Sequence, residues 1–480
     1  MTWNAAATND CHYYPADIVF HAGLDHHHVA NTAYPIAHEL TMRSYRVRRK
    51  QVTAVLTRAW EDEDQLGLYV HIPFCESRCA FCEYTVVHPR YLHLMKLYVQ
   101  LLVNEFTLCR QILETGAKKV IGFDIGGGTP AILSDRSIGT IIDVARRCFR
   151  LPQDLEISLE TTPLIAACQP ERLKSFYRLG VRRLSMGIQA TSPAILKAMD
   201  RSWGSFRINA RAVDNIRNAG FGKFNIDLMY GLANLELPDW EKTVRHAVSL
   251  SPDYITLYRT RYKGTRIKHM AALVTRDMVN KQYHLASDIL NSAGFSAPVG
   301  KNTFSRQTGH NGVSQYLTER VQKGRPYLGI GLGAQSWTGK ILQYNAGAAS
   351  KTLDTYKRMI DAGQLPVQDL YHLSKQAAMG KMIAVSFYFG GIDRTGFAHL
   401  FNCDLYDTFR SRIDFLLQHE LVTWEGSSLR LTQAGIDCFG GVVAQFYAPA
   451  VQKVLLENKC LVGPALVRDD VHTPPLLAIV

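Results

Sequence analysis

The sequence contains no run of 18 or more apolar residues, so no stretch is suited to cross a membrane as a helix. The stretch Met1 to Cys11 has neither a basic segment nor an apolar core, and a secretory signal is not expected. Cysteine is sparse, with ten in 480 residues, which excludes a disulfide scaffold. No internal repeat and no low-complexity linker divides the chain. Apolar residues make up 47% and charged residues 20%, values that exclude wholesale disorder, collagen and coiled coil. Neither charge is scarce, but 54 Lys+Arg exceed 42 Asp+Glu and leave a formal charge of +12. That excess favours an anionic partner such as a polycarboxylate or a phosphate. A dedicated nucleic-acid role is not expected, and a cytoplasmic location is.

The length suggests about three units, although one barrel can absorb roughly 250 residues. Residues 1 to about 65 are irregular, with His26-His27-His28, a basic patch at Arg46 to Lys50 and the acidic run Glu61 to Asp64. The three histidines read as a solvated loop. From about 66 to 260, β-rich runs (68–71, 120–125, 155–159, 183–188, 224–229 and 254–258) alternate with helical stretches (91–115, 135–148, 170–179, 205–219 and 239–250). Six strand–helix units spaced by roughly 30 residues form a parallel βα pattern, closer to a partial barrel than to a flat sheet. In parallel barrels the chemistry sits at the C-terminal strand ends. Beyond residue 370 the texture changes. Helices over 371–388 and 404–419 precede short strands at 421–424 and 429–431, and Thr432 opens another helix, in the manner of a winged helix.

Three of the ten cysteines fall within one segment, Tyr69-Val-His-Ile-Pro-Phe-Cys75-Glu-Ser-Arg-Cys79-Ala-Phe-Cys82. Three thiolates on one tight loop suit three irons of a [4Fe–4S] cubane, leaving the fourth iron for a ligand. Structural zinc prefers four ligands, usually as two pairs; the nearest fourth candidate in sequence, His71, belongs to the strand before the loop. The other seven cysteines, Cys11, Cys109, Cys148, Cys168, Cys403, Cys438 and Cys460, are scattered singly.

The Cys-x3-Cys-x2-Cys spacing after a first strand resembles the signature of radical S-adenosylmethionine (SAM) enzymes. The longer string is similar to the oxygen-independent coproporphyrinogen III oxidase family and its relatives. The likeness continues in order through Asp124 to Pro130, Glu156 to Glu160, Arg183 to Gln189, Asn225 to Leu232 and Tyr327 to Gly333, with an N-terminal motif at Asn31 to Pro35. It implies an α/β fold: a partial (β/α)6 radical SAM barrel and adjoining segment over 66–340, an N-terminal extension (1–65), a C-terminal helical, winged-helix-like domain (341–450) and a tail (451–480). It also implies a [4Fe–4S] cluster held by Cys75, Cys79 and Cys82, with SAM on the open iron.

Site roles follow from the same resemblance. Gly126, Gly127 and Gly128 would let backbone approach the SAM amine, although with Thr129 and Pro130 they also fit an ordinary strand-to-helix turn. Glu160 would accept hydrogen bonds from SAM, or cap the surface. Gln189 and Asp227 would meet the ribose and other polar parts of SAM. Arg201 would reach its carboxylate, and Phe81 would offer backbone to the adenine. Tyr69 would serve catalysis through SAM or substrate, or would be a core aromatic. Trp337 and Gln335 are candidates to line a second SAM or substrate pocket.

After the last cluster cysteine, coproporphyrinogen oxidases carry Gly-Cys-Asn, whereas this chain has Glu83-Tyr84-Thr85. That segment is more similar to class C radical SAM methylases and cyclopropanases, which hold two SAM molecules. The leading expectation is therefore carbon transfer to an sp² carbon of an unsaturated natural product. Coproporphyrinogen decarboxylation is the alternative, and a heme chaperone or heme-degrading relative comes after it. A flavodoxin- or ferredoxin-type electron donor is expected, and no membrane partner.

Overall fold

The computed structural model describes residues 1–4, 12–27, 34–201 and 204–457. Cys11, His28, positions 31–33 of the N-terminal motif and residues 458–480, including Cys460, lie outside the described residues.

Six parallel strands form the centre: β1 (Gln65–Ile72), β2 (Lys119–Gly127), β3 (Ile157–Thr161), β4 (Val181–Gln189), β5 (Lys223–Tyr230) and β6 (Tyr254–Arg259). They pair in sequence order, each with its neighbour. β1 is buried at every residue after Gln65. That near-continuous burial is the mark of a parallel strand covered on both faces. The helices return over the outside; the helix Asp135–Cys148, for example, buries Ile138, Ile141, Ile142 and Ala145 and exposes Arg146.

The sheet does not end with these six. β7 (Thr303–Ser305) pairs antiparallel to β6, and β8 (Tyr327–Ile330) pairs parallel to β1 on the other side. β9 (Gln335–Trp337), β10 (Ile341–Asn345) and β11 (Val367–His372) extend that edge antiparallel, giving eleven strands in an open sheet whose ends do not meet. The fold is thus α/β with a partial barrel at its centre. The helix expected from residue 371 begins instead at Lys375. Leu370, Tyr371 and His372 complete β11 against β10, and the Ser374 side chain caps the helix by accepting from Ala377 N.

Residues 312–317 fill the barrel interior. Arg183 Nη2 donates to Gly312 O at 2.8 Å, and Ser314 Oγ to Asp124 Oδ2 at 2.6 Å. Gly122 is required here: a Cβ on it would lie 2.4 Å from Tyr316 N.

A second apolar core lies outside the barrel. There β12 (Ile392–Asp393), β13 (Val422–Glu425) and β14 (Ser428–Leu431) form a small sheet in the order β12-β14-β13, covered by the helices Arg394–Phe401 and Leu405–Gln418. The N-terminal helix Ala16–Asp25 joins this core. Its Gly23 sits against Gly440, where a Cβ would come within 2.4 Å of the carbonyl oxygen.

Candidate active site

Beyond Ile72 the chain leaves β1 and loops across the C-terminal ends of the barrel strands. Backbone bonds pin the loop: Gly128 N to Ile72 O and Thr129 N to Phe74 O, each 2.8 Å, and Ala80 N to Met199 O at 3.0 Å. Phe74 is fully buried and anchors it. The loop presents Cys75, Cys79 and Cys82, all half-buried, to one cavity of about 1320 Å³ that is open to solvent. Thr129 Oγ1 donates to Cys75 Sγ and Arg201 Nη1 to Cys79 Sγ, each at 3.3 Å. Burial pushes the Cys75 thiol up to about 12 and the Cys82 thiol up to about 11. Thiolates therefore persist here only against a bound cation.

The three glycines close the loop from beneath. Gly127 has φ +119°, and a Cβ there would strike the His71 ring at 2.6 Å. A Cβ on Gly128 would come within 3.0 Å of Cys75 Sγ, and one on Gly126 within 2.6 Å of Glu160 Oε1. The run is thus a close packing of backbone, thiol and carboxylate, beyond the needs of a turn. Glu160, at the end of β3, accepts from Gly127 N at 3.1 Å. Burial, with Asp227 nearby, pushes its carboxyl up to about 8.

Gln189 ends β4 with φ +70°, a strained value for a side-chain-bearing residue, and its buried Oε1 has no hydrogen-bond partner. Asp227 on β5 is held by Ser185 Oγ at 2.9 Å and Asn225 Nδ2 at 2.6 Å. Arg201 Nη2 donates to Gly187 O at 2.5 Å. Phe81, Gly127, Gly128, Thr129, Glu160, Gln189, Arg201 and Asp227 all line the cysteine cavity; Gly126 lies just behind it.

Tyr69 stands apart. It is buried, stacks on Tyr316 at 6.0 Å and shares a hydrogen bond of 3.2 Å with His71 Nδ1, while His71 Nε2 bonds Thr85 O at 2.7 Å. Because Nε2 must donate to a carbonyl, Nδ1 accepts from the tyrosine. Tyr69 lines a smaller cavity of about 470 Å³ together with Gln335, Arg320 and Tyr84. Trp337 lines none of the cavities described here; it packs against Tyr327 at 6.2 Å.

The far wall of the main cavity is formed by Glu83 and Tyr84, which sequence reasoning met only as a departure from the oxidase pattern, and by Tyr258, Arg259, Arg261 and Tyr388, which it passed over. Glu83 and Arg261 form an ion pair at 2.9 Å with both side chains mostly buried. The signal existed: Arg259-Thr-Arg261-Tyr-Lys263 is a basic run at the C-terminal end of β6, where barrel chemistry gathers. Tyr388 arrives on the distant helix Lys375–Tyr388 and carries no such signal.

The residues fit a cubane cluster and SAM. Three thiols share one cavity, a side-chain-free backbone ledge lies beside Cys75, and an orphaned buried acceptor and a buried carboxylate face the same space. Among the described residues no three ligating side chains converge as for a single ion; a cubane takes each thiolate to a different iron.

Comparison with known proteins agrees. Residues 69–247 match the Radical SAM superfamily. Over 325 residues the chain is 28% identical to "Heme chaperone HemW" of Mycobacterium tuberculosis, covering 65% of this chain and 78% of that protein. It is 26% identical to "Oxygen-independent coproporphyrinogen III oxidase" of Helicobacter pylori over 387 residues, covering 77% and 83%. The solved structure of coproporphyrinogen III oxidase (HemN) from Escherichia coli superposes with a TM-score of 0.69 at 21% identity, covering 86% of this chain and 96% of that one.

Proposed function

From a chain that belongs to the radical SAM superfamily, with a [4Fe–4S] cluster and SAM as its cofactors, we propose an enzyme that oxidises a carboxylated tetrapyrrole of the porphyrinogen kind. The relatives just described are heme chaperones and coproporphyrinogen oxidases, and none is named for methyl transfer. The expectation of carbon transfer from a second SAM therefore yields to its alternative. One observation carries the reading: a single cavity joins the three cysteines and the SAM-facing polar residues to a wall bearing Arg259 and Arg261, suited to carboxylates.

When bound, the cluster and SAM supply a 5′-deoxyadenosyl radical by one-electron reductive cleavage. The chain's residues bind and orient. Cys75, Cys79 and Cys82 hold the cluster. Gly127 and Gly128 offer backbone, while Glu160, Gln189, Arg201 and Asp227 receive the polar ends of SAM. Phe81, lining the same cavity, would offer backbone to the adenine. Arg201, fixed by Gly187 O and Cys79 Sγ, is positioned to meet a carboxylate without rearrangement. Tyr69 acts through His71 and Thr85, which tie β1 to the loop segment after Cys82. Glu83 stands where the coproporphyrinogen oxidases carry glycine, and its ion pair with Arg261 shapes the cavity wall that would face the substrate.

The test is anaerobic turnover of reconstituted protein with SAM, dithionite and coproporphyrinogen III. The expected outcome is 5′-deoxyadenosine together with a decarboxylated porphyrinogen. The variant replacing Cys75, Cys79 and Cys82 by Ala should bind no iron and give neither product. Deoxyadenosine and S-adenosylhomocysteine with the porphyrinogen untouched would overturn the proposal in favour of carbon transfer.

A further inference from the structure

A second, smaller cavity, open to solvent, adjoins the first. The two share Arg259, Arg261 and Tyr388 as lining residues. One side of the second cavity comes from the barrel (Tyr230, Val279, Tyr283, Asn302). Another comes from the C-terminal unit (Leu431, Ile436, Phe439), and the N-terminal segment contributes His27.

Among the described residues no aspartate or glutamate lines this cavity. Arg261 is matched by Glu83, but Arg259 forms no ion pair with a carboxylate among the described residues. Its guanidinium bonds His27 instead, Nη2 to Nδ1, at 2.6 Å. An arginine can only donate, so His27 Nδ1 accepts in this bond. Arg259 is half-buried and meets no carboxylate among the described residues, so an acidic group entering the cavity would complete it.

A second, independent observation points the same way. Asn302 is 4% exposed, and its Nδ2 has no hydrogen-bond partner, although it lies toward the Tyr388 hydroxyl. A buried amide donor without an acceptor costs free energy comparable to a lost hydrogen bond. Both unmet demands are demands for an acceptor.

We propose that this second cavity is a subsite for a carboxylate carried by the substrate, with Arg259 as its cationic partner and Asn302 Nδ2 as a second donor. The planar guanidinium fork matches two carboxylate oxygens. Val279, Leu431, Ile436 and Phe439 face the hydrocarbon that bears the carboxylate. A substrate anchored here keeps another arm in the cysteine cavity, so the subsite selects molecules with two or more well-separated acidic arms. The assignment to a tetrapyrrole rests on the function proposed above; the assignment of a carboxylate site does not.

The test uses reconstituted full-length protein and two kinds of probe. The first is coproporphyrin III, compared with its uncharged tetramethyl ester by fluorescence titration. The free acid should bind at least tenfold more tightly than the ester, and Arg259→Gln should lower acid affinity by about 10–100-fold, the range for a hydrogen-bonded charge, while iron content is retained. Arg259→Lys should recover part of the loss, and Asn302→Leu should give a smaller one. Equal acid affinity in wild type and Arg259→Gln would overturn the subsite. The second probe is propionate, read as a shift in melting temperature. If neither porphyrin binds, the tetrapyrrole reading fails, while propionate stabilisation of wild type but not of Arg259→Gln would still support the subsite. No propionate response in that case, or a response to inorganic phosphate alone, would overturn it. Should Arg259→Gln fail to fold, Arg259→Lys and Asn302→Leu carry the same comparison.

Discussion

Glu160 shows how a single residue holds two states. Burial and Asp227 keep its carboxyl up at about 8, so near pH 7 it is mostly protonated. A SAM molecule that donates hydrogen bonds to it favours the ionised form, the stronger acceptor. SAM affinity should therefore rise as pH increases from 6.5 to 8.5, and Glu160→Gln should lack that part of the rise. At pH 8.5 the variant should bind SAM about tenfold more weakly, the scale of a hydrogen bond to a charged group. Isothermal titration of both proteins across that range checks both statements; parallel pH profiles would refute the role. The cysteines, Glu160, Gln189 and Asp227 lie in or just beyond strand-end motifs, and Arg201 stood out only through the family resemblance; the fold brings all of them to one cavity. Glu83 was visible only as a departure from a pattern, and its partner Arg261 lies 178 positions on, a pairing no local pattern encodes.

At the scale of elements, the six parallel strands were legible because βα alternation imposes a regular spacing. Their continuation was not. β8 to β11 are short, and β9 has three residues; pairing with β1 and with one another makes them strands. A buried clasp secures that edge. Glu105, on the helix Met95–Ile112, accepts from Gly331 N at 2.8 Å and Asn345 Nδ2 at 2.7 Å, and also from the Tyr356 hydroxyl. All three partners donate, so Glu105→Ala leaves buried donors unmet and should lower stability by about 3 kcal/mol. Burial also raises the Glu105 carboxyl from 4.5 to about 7. A raised acid contributes most stability below about 4.5 and loses it as pH climbs toward about 7. The stability difference between wild type and Glu105→Gln should therefore narrow, by about 1–3 kcal/mol, between pH 5 and 7.5. Urea unfolding at both pH values measures it; a constant difference would contradict the clasp.

For the molecule as a whole, two cores meet at the second cavity. The barrel core and the C-terminal core are separate apolar clusters, and the N-terminal helix belongs to the second. Sequence patterning marked the change of texture after residue 370, but it gave the N-terminal region no partner, because a ten-residue helix with a glycine at its contact has no strong periodicity. Gly23→Leu should force that helix away from Gly440 and cost about 1–3 kcal/mol. The barrel should keep its iron while protease cuts the N-terminal segment first. Loss of iron in parallel would show that the two cores are not separable. Among the described residues no helix is long and apolar enough to cross a membrane.

The second cavity has walls from three distant parts of the chain: His27, the barrel, and Leu431 to Phe439. On a ribosome these parts do not appear together. The cysteine loop at 75–82 and its supporting strands emerge hundreds of residues before Phe439. The second cavity can close only after Leu431 to Phe439 have been made, so the order of synthesis lets the cysteine loop take shape before this cavity has its third wall.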